Sequence, residues 1–323
     1  MKKIITVLSL VFTLALSFSL AGCTKTTTVG ILQLVTHDAL DACTTGFEEA
    51  LADGGFVDGD NIVIEFRNPE ADSVALNSYA SELVRSCDIV LGIATDAAVA
   101  LKNARENEGS DIPILFTAVT DPVAAGLVTA LDVTDNNVTG TSDASDVAKQ
   151  IQMVKKILPN ATEIGVLYHS SEVNSQVQAT AAQTEATSQN LGFETWTVNE
   201  VSELNATLTA ISNSDIDALF LPTDNLVASN IQTIADAMID AGILTVCGEE
   251  SMTTKGGCVT YSIDYAALGV QTGEMAVEIL NGKSVAEIPV GNGLSDLLVV
   301  LNETSLTAIG LNPDTVRSAL QGN

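Results

Sequence analysis

The chain has 323 residues, 46% of them apolar, and its 41 acidic residues against 13 basic ones give a formal net charge of −28. Such a surface is repelled by nucleic-acid phosphates and by anionic lipid headgroups, which excludes binding to either through charge. The apolar content excludes a disordered chain, and the length exceeds what one hydrophobic core usually organises, so we expect two lobes.

The first 23 residues have the pattern of a bacterial lipoprotein signal. Two lysines precede an apolar stretch, residues 4–20, whose end in Leu-Ala-Gly-Cys resembles a lipobox. The stretch is short for a membrane span and is interrupted by Ser and Thr, which disfavours a transmembrane anchor. We therefore expect residues 1–22 to be removed as a signal peptide and Cys23 to receive a diacylglycerol. Residues 23–28 would then form a lipidated tether that holds the protein at the membrane, outside the cytoplasm.

Four further cysteines and two histidines limit the redox and metal chemistry open to the chain. Cys247 and Cys258 flank one loop, so a disulfide between them is possible outside the cytoplasm. Cys43 and Cys87 fall at opposite ends of a predicted sheet, and we expect both to be free and buried. With no CxxC spacing and only two histidines, the sequence predicts no metal site and no cofactor.

From residue 29 onward, short apolar runs typical of buried parallel strands alternate with segments of helical periodicity. The first series has predicted strands at Val29–Val35, Ile62–Phe66, Asp88–Ile93 and Ile114–Val119, and helices at 38–53, 72–86 and 96–107. The second has strands at Ile164–Tyr168, Glu194–Val198, Ala218–Leu221 and Leu244–Cys247, and helices at 144–158, 173–191, 201–212 and 226–241. Strands that alternate with helices predict βαβ units and hence two open parallel sheets.

Three segments are predicted to cross between the lobes and so to form a hinge. Residues 137–143 make the first crossing and residues 261–264 the second, after which a helix at 265–280 returns to the first lobe. A last strand at 297–301 and a helix near 313–320 complete the second lobe. The expected lobes are residues 29–141 plus 265–292 and residues 142–264 plus 293–323.

Polar residues cluster where the predicted strands end, which is where ligands bind in open α/β sheets. The dipeptide Thr-Asp occurs at three such positions, 95–96, 120–121 and 223–224. For any one of them helix capping alone is an adequate explanation, because Thr and Asp accept the free N–H groups of a first helical turn. Together, the hydroxyls and helix N-termini of both lobes suit a carboxylate, and Asp224 with Glu249 suits an ammonium group. The strand ends therefore predict a zwitterionic ligand such as an amino acid.

Segments at these same positions resemble one family. The most specific are Thr-Ala-Val-Thr-Asp-Pro at 117–122 and Pro-Thr-Asp-Asn at 222–225. Other matching segments are Gly30–Val35, Val138–Gly140, Ile164–Tyr168, Ser170–Glu172, Gly248–Glu250 and Ile263–Tyr265. Over residues 29–283 the chain resembles the ABC transporter substrate-binding lipoproteins of the tryptophan/tyrosine-binding type.

This resemblance implies the type I periplasmic-binding-protein fold, in which two Rossmann-like α/β lobes with open parallel sheets are joined by a three-crossing hinge. It also implies a monomeric solute-binding lipoprotein of an ABC importer, which works with a separate permease and ATPase. The implied ligand is an aromatic amino acid, Trp, Phe or Tyr, captured in the cleft between the lobes.

Carried onto this sequence, the resemblance assigns the carboxylate to Thr95, Thr117 and the neighbouring backbone, and the ammonium group to Asp224 or Glu249. The residues expected to line the cleft are Gln33, His37, Ser142, Asp143, Ser171, Glu172 and Asn174. The remaining candidates lie at strand ends: Asp121, Thr223 and Asn225 are polar, and Tyr168 can stack on a ligand ring.

Two alternatives to a binding protein of an importer are an enzyme and a ligand sensor. An enzyme is disfavoured because the chain has no P-loop, no dinucleotide-binding glycine fingerprint after the first strand, no HExxH and no GxSxG, so we expect binding without catalysis. A sensor that reports a sugar or signalling molecule to a membrane receptor has the same fold. The near absence of Arg from the strand ends favours an amino acid over a sugar, and the choice between transport and sensing stays open.

Overall fold

The computed structural model describes residues 26–132, 136–292 and 297–321. Over these ranges the chain is an α/β protein with two sheets of six strands each. The predicted signal peptide and Cys23 lie outside the described residues. Within the described ranges, no helix has the length and apolar character needed to cross a membrane.

The first sheet has the strand order β11-β5-β4-β3-β1-β2, and its paired strands are parallel. Its strands are β1 (Thr27–Gln33), β2 (Ile62–Arg67), β3 (Ile89–Ile93), β4 (Ile114–Thr117), β5 (Val138–Ser142) and β11 (Gly291–Asn292). The helices that pack on it are α1 (Asp38–Asp53), α2 (Ser73–Ser86), α3 (Thr95–Glu108) and α10 (Tyr265–Leu280). We call this sheet with its helices lobe 1.

The second sheet has the order β12-β10-β9-β8-β6-β7. Its strands are β6 (Glu163–His169), β7 (Gly192–Val198), β8 (Ala218–Leu221), β9 (Leu244–Cys247), β10 (Val259–Ser262) and β12 (Leu298–Leu301). Its helices are α4 (Val147–Ile157), α5 (Val173–Ser188), α6 (Val201–Ser212), α7 (Asn225–Ser229), α8 (Ile231–Ala241), α9 (Glu250–Thr254), α11 (Glu303–Ala308) and α12 (Pro313–Gln321). This sheet with its helices is lobe 2.

The prediction of two α/β layers with parallel sheets is confirmed, with one exception at an edge. Strand β12 runs antiparallel to β10, because the chain comes back to lobe 2 from the opposite end. Strand β10 was predicted only as a crossing, and the two-residue strand β11 was not predicted. Strand β1 begins at Thr27, inside the range assigned to the tether.

The predicted helix at 226–241 is wrong as a single element, since it is divided into α7 and α8 at Asn230. The side-chain amide of Asn230 donates to the carbonyl of Leu226, an arrangement that competes with continuation of the helix. The division leaves α7 as a short separate helix whose N-terminus faces lobe 1.

The central strands are buried on both faces, which explains their continuous apolar sequences. In β8, Ala218 and Phe220 belong to one core cluster and Leu219 and Leu221 to another, as alternate residues of a strand must. Cys247 and Cys258 of lobe 2 belong to different core clusters, and both are free thiols.

Cys43 and Cys87 are also free and buried, as predicted. Burial in the apolar core raises the pKa of the Cys87 thiol to about 11, so it is protonated at neutral pH.

Sheet membership shows three passages of the chain between the lobes. Strands β1 to β5 lie in lobe 1, β6 to β10 in lobe 2, β11 in lobe 1 and β12 in lobe 2. The first passage follows Ser142 and the second follows Ser262. Residues 293–296 of the third passage lie outside the described ranges.

Helix α10 is fixed to lobe 1 by close backbone contact with α1. A Cβ added at Gly269 would overlap the carbonyl oxygen of Cys43, and one added at Gly46 would overlap that of Ala266. Thr272 of α10 also hydrogen-bonds to Thr141 of β5, at 2.7 Å between hydroxyl oxygens. The start of α10, where the second passage ends, therefore has a fixed position beside the sheet.

We expect Gly269→Ala to lower the free energy of unfolding by about 1–3 kcal/mol, because the new methyl group forces the two helices apart. The sign is diagnostic, since helix propensity alone would make the same substitution stabilising by roughly 0.5–1 kcal/mol. Urea denaturation measures the change, and Ala267→Ser on the exposed face of α10 is the control. A Gly269→Ala protein at least as stable as the wild type would contradict this packing.

Candidate functional site

A cavity lies between the lobes at the carboxyl ends of their strands. The space between its walls, including the opening, is ≈ 340 Å³, which is at the lower end for ligand pockets, so the cavity is narrow. Its walls are formed by His37, Ala39, Leu40, Thr95, Ala118, Thr120, Asp143, Asn174, Thr223, Asp224, Asn225, Ala228, Glu249 and Tyr265. A ligand held there would contact both lobes at once.

Lobe 1 contributes two helix N-termini that have no side-chain cap. His37 is the N-cap of α1 and Ala94 is the N-cap of α3, and neither side chain accepts a hydrogen bond from the first turn. The first-turn residues Ala39, Leu40 and Thr95 line the cavity. Because the first N–H groups of a helix have no partner within the helix, these two N-termini are suited to an anion.

Lobe 2 differs at two of its helix N-termini, those of α7 and α9, which are capped by acids, whereas the N-cap Glu172 of α5 makes no such bond. Asp224 accepts from the amide of Val227 in α7. Its other oxygen accepts from the amide of His169 at 2.7 Å and from the hydroxyl of Ser175 at 2.7 Å.

Glu249 caps α9 in the same manner. It accepts from the amides of Ser251 and Met252 and from the Ser251 hydroxyl, at distances of 2.6–3.1 Å. Burial raises the pKa of Asp224 and of Glu249, and these hydrogen bonds oppose the shift. Both carboxylates that the sequence favoured for an ammonium group are therefore occupied in holding lobe 2 together.

The carboxylate with a free oxygen is Asp143. Its Oδ2 accepts from the hydroxyl of Tyr265 at 2.8 Å, whereas its Oδ1 is buried without a hydrogen-bond partner. Only 3% of Asp143 is exposed, and burial raises the pKa of its carboxyl. This oxygen is an acceptor that a cationic group in the cavity would satisfy.

His37 offers a second acceptor. Its Nε2 lies 3.3 Å from Oδ1 of Asn225, and Nδ1 is buried without a partner. Burial lowers the pKa of His37, which favours the neutral ring. Since the amide of Asn225 donates to Glu172, its oxygen faces the histidine, so the ring proton lies on Nε2 and Nδ1 is an acceptor.

Glu172 positions Asn225 from behind the cavity wall. It accepts from the side-chain amide of Asn225 at 2.8 Å and from that of Asn174 at 3.0 Å. Burial, and after it the charge of Asp224, raise the pKa of Glu172. A chain of hydrogen bonds thus runs from Glu172 in lobe 2 through Asn225 to His37 in lobe 1.

Other bonds close the cleft beside the cavity. The hydroxyls of Thr120 in lobe 1 and Thr223 in lobe 2 lie 3.3 Å apart, and the amide of Gln178 donates to Thr120 at 3.4 Å. At the surface, Lys255 of lobe 2 pairs with Asp38 of α1 at 2.7 Å. These contacts must break before the lobes can separate.

Two residues beside the cavity have strained backbones. Ala94 and Ala118 follow strands β3 and β4 and have φ values of 82° and 53°, a region that non-glycine residues rarely adopt. Strain of this kind collects at functional sites, where the surrounding structure holds it in place.

Eight of the predicted binding residues line the cavity: His37, Thr95, Asp143, Asn174, Thr223, Asp224, Asn225 and Glu249. Three others lie behind its wall, where Gln33, Thr117 and Ser142 hydrogen-bond to Asp41, Thr141 and the carbonyl of Thr120, respectively.

The last four predicted residues are elsewhere. Asp121 caps the turn that follows it, and Tyr168 packs against a core cluster of lobe 2. Ser171 and Glu172 line a separate cleft between the lobes, in which the space between the walls, including the opening, is ≈ 910 Å³.

Sequence reasoning missed six lining residues: Ala39, Leu40, Ala118, Thr120, Ala228 and Tyr265. Two of them carried a signal. Thr120 belongs to the repeated Thr-Asp dipeptide, and Tyr265 directly follows the predicted second crossing. The apolar residues carried none, because only the packing of the two lobes brings them together.

Known proteins are similar to this chain over most of its length. Residues 28–317 match the model of the family described as ABC transporter substrate binding protein. The chain belongs to this family. Proteins of the family bind a small molecule outside the cytoplasm for an ABC transporter, and the fold is that of the type I periplasmic-binding proteins.

Among its relatives is a tyrosine-binding protein of Clostridioides difficile (strain R20291), 39% identical over 288 residues that cover 89% of this chain and 82% of that protein. A Streptococcus pneumonia structure, the ABC domain in complex with L-Trp, is 34% identical, has a TM-score of 0.85, and covers 91% of this chain and 98% of its own. The ligand-free, open structure of a substrate-binding protein with adhesive properties from Clostridium difficile is 41% identical, with a TM-score of 0.68 and coverages of 88% and 95%.

This substrate-binding protein is thus more similar in sequence to the open structure but superposes better on the complex with L-Trp. Hydrogen bonds join its lobes across the cavity.

We expect Asp224→Ala to destabilise the protein by about 2–4 kcal/mol, because it removes the cap of α7 and leaves the His169 amide and the Ser175 hydroxyl without their acceptor. Thermal and urea denaturation without ligand measure the loss. Asp121→Ala, which removes a cap from an exposed turn, is the control and is expected to cost about 1 kcal/mol or less. Equal, small effects of the two substitutions would contradict the structural role of Asp224.

Proposed function

We propose that this protein captures an aromatic L-amino acid in the interlobe cavity and delivers it to the permease and ATPase of an ABC importer. The observation that carries the proposal is the pair of buried acceptors without partners, Asp143 Oδ1 and His37 Nδ1, in a cavity that two uncapped helix N-termini also line. The names of the relatives, one a tyrosine-binding protein and one in complex with L-Trp, support an aromatic ligand.

The ammonium group is assigned to Asp143, with His37 as its second acceptor. A carboxylate supplies charge and a neutral imidazole supplies a lone pair, so together they replace part of the water that an ammonium group loses on binding. Asp224 and Glu249 do not take this role, because their oxygens already accept from backbone and hydroxyl groups.

The ligand carboxylate is assigned to lobe 1. The open N–H groups at the starts of α1 and α3 provide donors and the positive ends of two helix dipoles. The Thr95 hydroxyl lies at the same place and adds a further donor.

The side chain of the ligand is assigned to the narrow remainder of the cavity. Leu40, Ala118, Ala228 and the Tyr265 ring are apolar surfaces there, and a narrow cavity suits a flat ring. Small alanines leave room for a large ligand side chain where bulkier residues would fill the space.

Capture would proceed by hinge closure. In the open form the ligand binds one lobe, and the contacts of His37 with Asn225 and of Thr120 with Thr223 form as the lobes close over it. The lobes that move would be residues 29–141 plus 265–292 and residues 142–264 plus 293–323, in a protein that acts as a monomer.

Binding of L-Tyr, L-Trp and L-Phe is tested by isothermal titration calorimetry after removal of carried-over ligand. We expect tyramine, which lacks the carboxylate, and 3-(4-hydroxyphenyl)propionate, which lacks the ammonium group, to bind about 100-fold more weakly than L-Tyr, because each leaves a buried charged site unpaired. Asp143→Asn should weaken L-Tyr by a similar factor. Asp314→Asn, at an exposed position of α12, is the control. The absence of a heat signal with every amino acid would overturn the proposed function.

Attachment to the membrane would be through lipid on Cys23. We expect Cys23→Ser expressed in a bacterium to remain uncleaved or to be released, whereas the wild-type chain labels with a fatty-acid analogue and sediments with membranes. Mass spectrometry of the mature N-terminus provides the direct measurement. A wild-type protein without lipid at Cys23 would refute the anchor without touching the ligand assignment.

A further inference from the structure

The hydrogen bond between Asp143 and Tyr265 joins two passages of the hinge. Asp143 directly follows β5, where the chain first leaves lobe 1, and Tyr265 is the first residue of α10, where the chain returns. Both side chains are buried, at 3% and 7% exposure, and the hydroxyl and carboxylate oxygens lie 2.8 Å apart. The two residues are 122 positions apart in sequence.

Hydrogen bonds of the backbone hold both Asp143 and Tyr265 in place. The amide of Asp143 donates to the carbonyl of Val119 at 3.3 Å, and the carbonyl of Tyr265 accepts from the thiol of Cys43 at 3.3 Å. Since α10 is also fixed against α1 by glycine contacts, the Tyr265 hydroxyl has a set position relative to the lobe 1 sheet.

We propose that Tyr265 is a positioning residue for the ligand's ammonium group: it holds Asp143 as a carboxylate with Oδ1 facing the cavity, and so couples ligand binding to the two hinge passages. The inference rests on the proposed function, since it requires that a cationic group meets Asp143.

The physical basis is the cost of a buried charge. A carboxylate this deeply buried tends to take up a proton, and a protonated Asp143 offers the ligand a neutral acid in place of a charge. The hydrogen bond from Tyr265 lowers the pKa of Asp143 against the raising effect of burial. Burial and the nearby carboxylate raise the pKa of Tyr265 itself, so its hydroxyl remains a donor throughout the range in which Asp143 titrates.

Other groups face Asp143 from the surrounding elements and contribute to its titration. Thr120 and the backbone of Asp143 itself lie close to the carboxyl and lower its pKa. The titratable groups that face it in the cavity or act on it through charge are His37, Asp224, Glu249, Tyr265 and Cys43. Of these, His37 has a pKa that burial lowers, and its protonation would also oppose binding of a cation, so its contribution must be separated from that of Asp143.

The binding form has Asp143 charged, His37 neutral and the ligand's amino group protonated. Below the pH at which that amino group loses its proton, affinity therefore falls as pH drops through the titration of either Asp143 or His37. Loss of the tyrosine hydroxyl removes a hydrogen bond that favours the carboxylate, so the fall that is due to Asp143 begins at a higher pH.

The test is Tyr265→Phe, with L-Tyr or L-Trp titrated calorimetrically between about pH 5 and 8, the range in which a histidine also titrates. We expect the affinity at neutral pH to fall about ten-fold or more, and the decline at acid pH to start at a higher pH than in the wild type. The preference for the amino acid over its analogue without the ammonium group should shrink. Tyr79→Phe removes the hydroxyl of a half-buried tyrosine on α2, outside the cavity, and should reproduce the wild-type profile.

Asp143→Asn completes a double-mutant cycle and isolates the titration of His37. In the Asp143→Asn background, Tyr265→Phe should have little further effect, because its only proposed role is to hold the carboxylate. A loss of affinity that persists in that background, with an unchanged pH profile, would show that Tyr265 merely shapes the wall and would overturn the inference. If the wild-type protein binds no aromatic amino acid, the proposed function itself fails; if it binds and the profiles coincide, only this inference fails.

Discussion

The structure depends on one constraint, a carboxylate buried between two lobes with no cation beside it. Asp143 is enclosed, one of its oxygens has no partner, and none of the described lining residues is Lys or Arg. A buried charge without a partner costs several kcal/mol, so a site of this kind is stable only when a ligand supplies the missing charge. We infer that the protein leaves Asp143 Oδ1 without a hydrogen-bond donor and that a ligand ammonium group supplies one.

The helix N-termini around the cavity differ in whether an acidic side chain caps them. In lobe 2, acids cap α7 and α9 and stabilise the lobe itself. In lobe 1, the N-caps of α1 and α3 make no such bond, which leaves open N–H groups at the cavity. Acids therefore cap α7 and α9 on the lobe 2 side of the cleft, whereas Asp38, Asp41 and Asp96 lie in the first turns of α1 and α3, whose N-cap side chains make no such bond. Because Asn174 and Asn225 of lobe 2 also line the cavity, a zwitterion that contacts both lobes favours the closed arrangement.

The sequence was sufficient for most of the fold. Apolar runs and helical periodicity located α1 and the central strands to within a few residues, because buried parallel strands have continuous apolar sequences. Strand β10 was missed because it is short and carries Thr, Tyr and Ser, and β12 was not expected to be antiparallel because strand direction depends on where the chain comes back to the sheet. The division of α8 from α7 depends on one side-chain bond of Asn230, which periodicity does not record.

The sequence predicted which segments line the cavity better than it predicted the role of each side chain there. Strand-end position and the family resemblance selected His37, Asp143 and Asn225, which line the cavity, but neither could distinguish a capping acid from a free one. Asp224, Glu249 and Asp143 are all acids next to a helix or a crossing, and only the hydrogen-bond partners of each oxygen separate them. Ala118 and Tyr265 reach the cavity through backbone strain and the return of α10, neither of which has a local sequence pattern.

A crystal structure of the protein with bound L-tyrosine or L-tryptophan would show directly whether Asp143 binds the ligand's ammonium group. We expect the ammonium nitrogen to lie within hydrogen-bond distance of Asp143 Oδ1 and His37 Nδ1, with the ligand's carboxylate at the starts of α1 and α3. An ammonium group bound to Asp224 or Glu249, or a ligand outside the cavity with Asp143 Oδ1 still unpartnered, would contradict it.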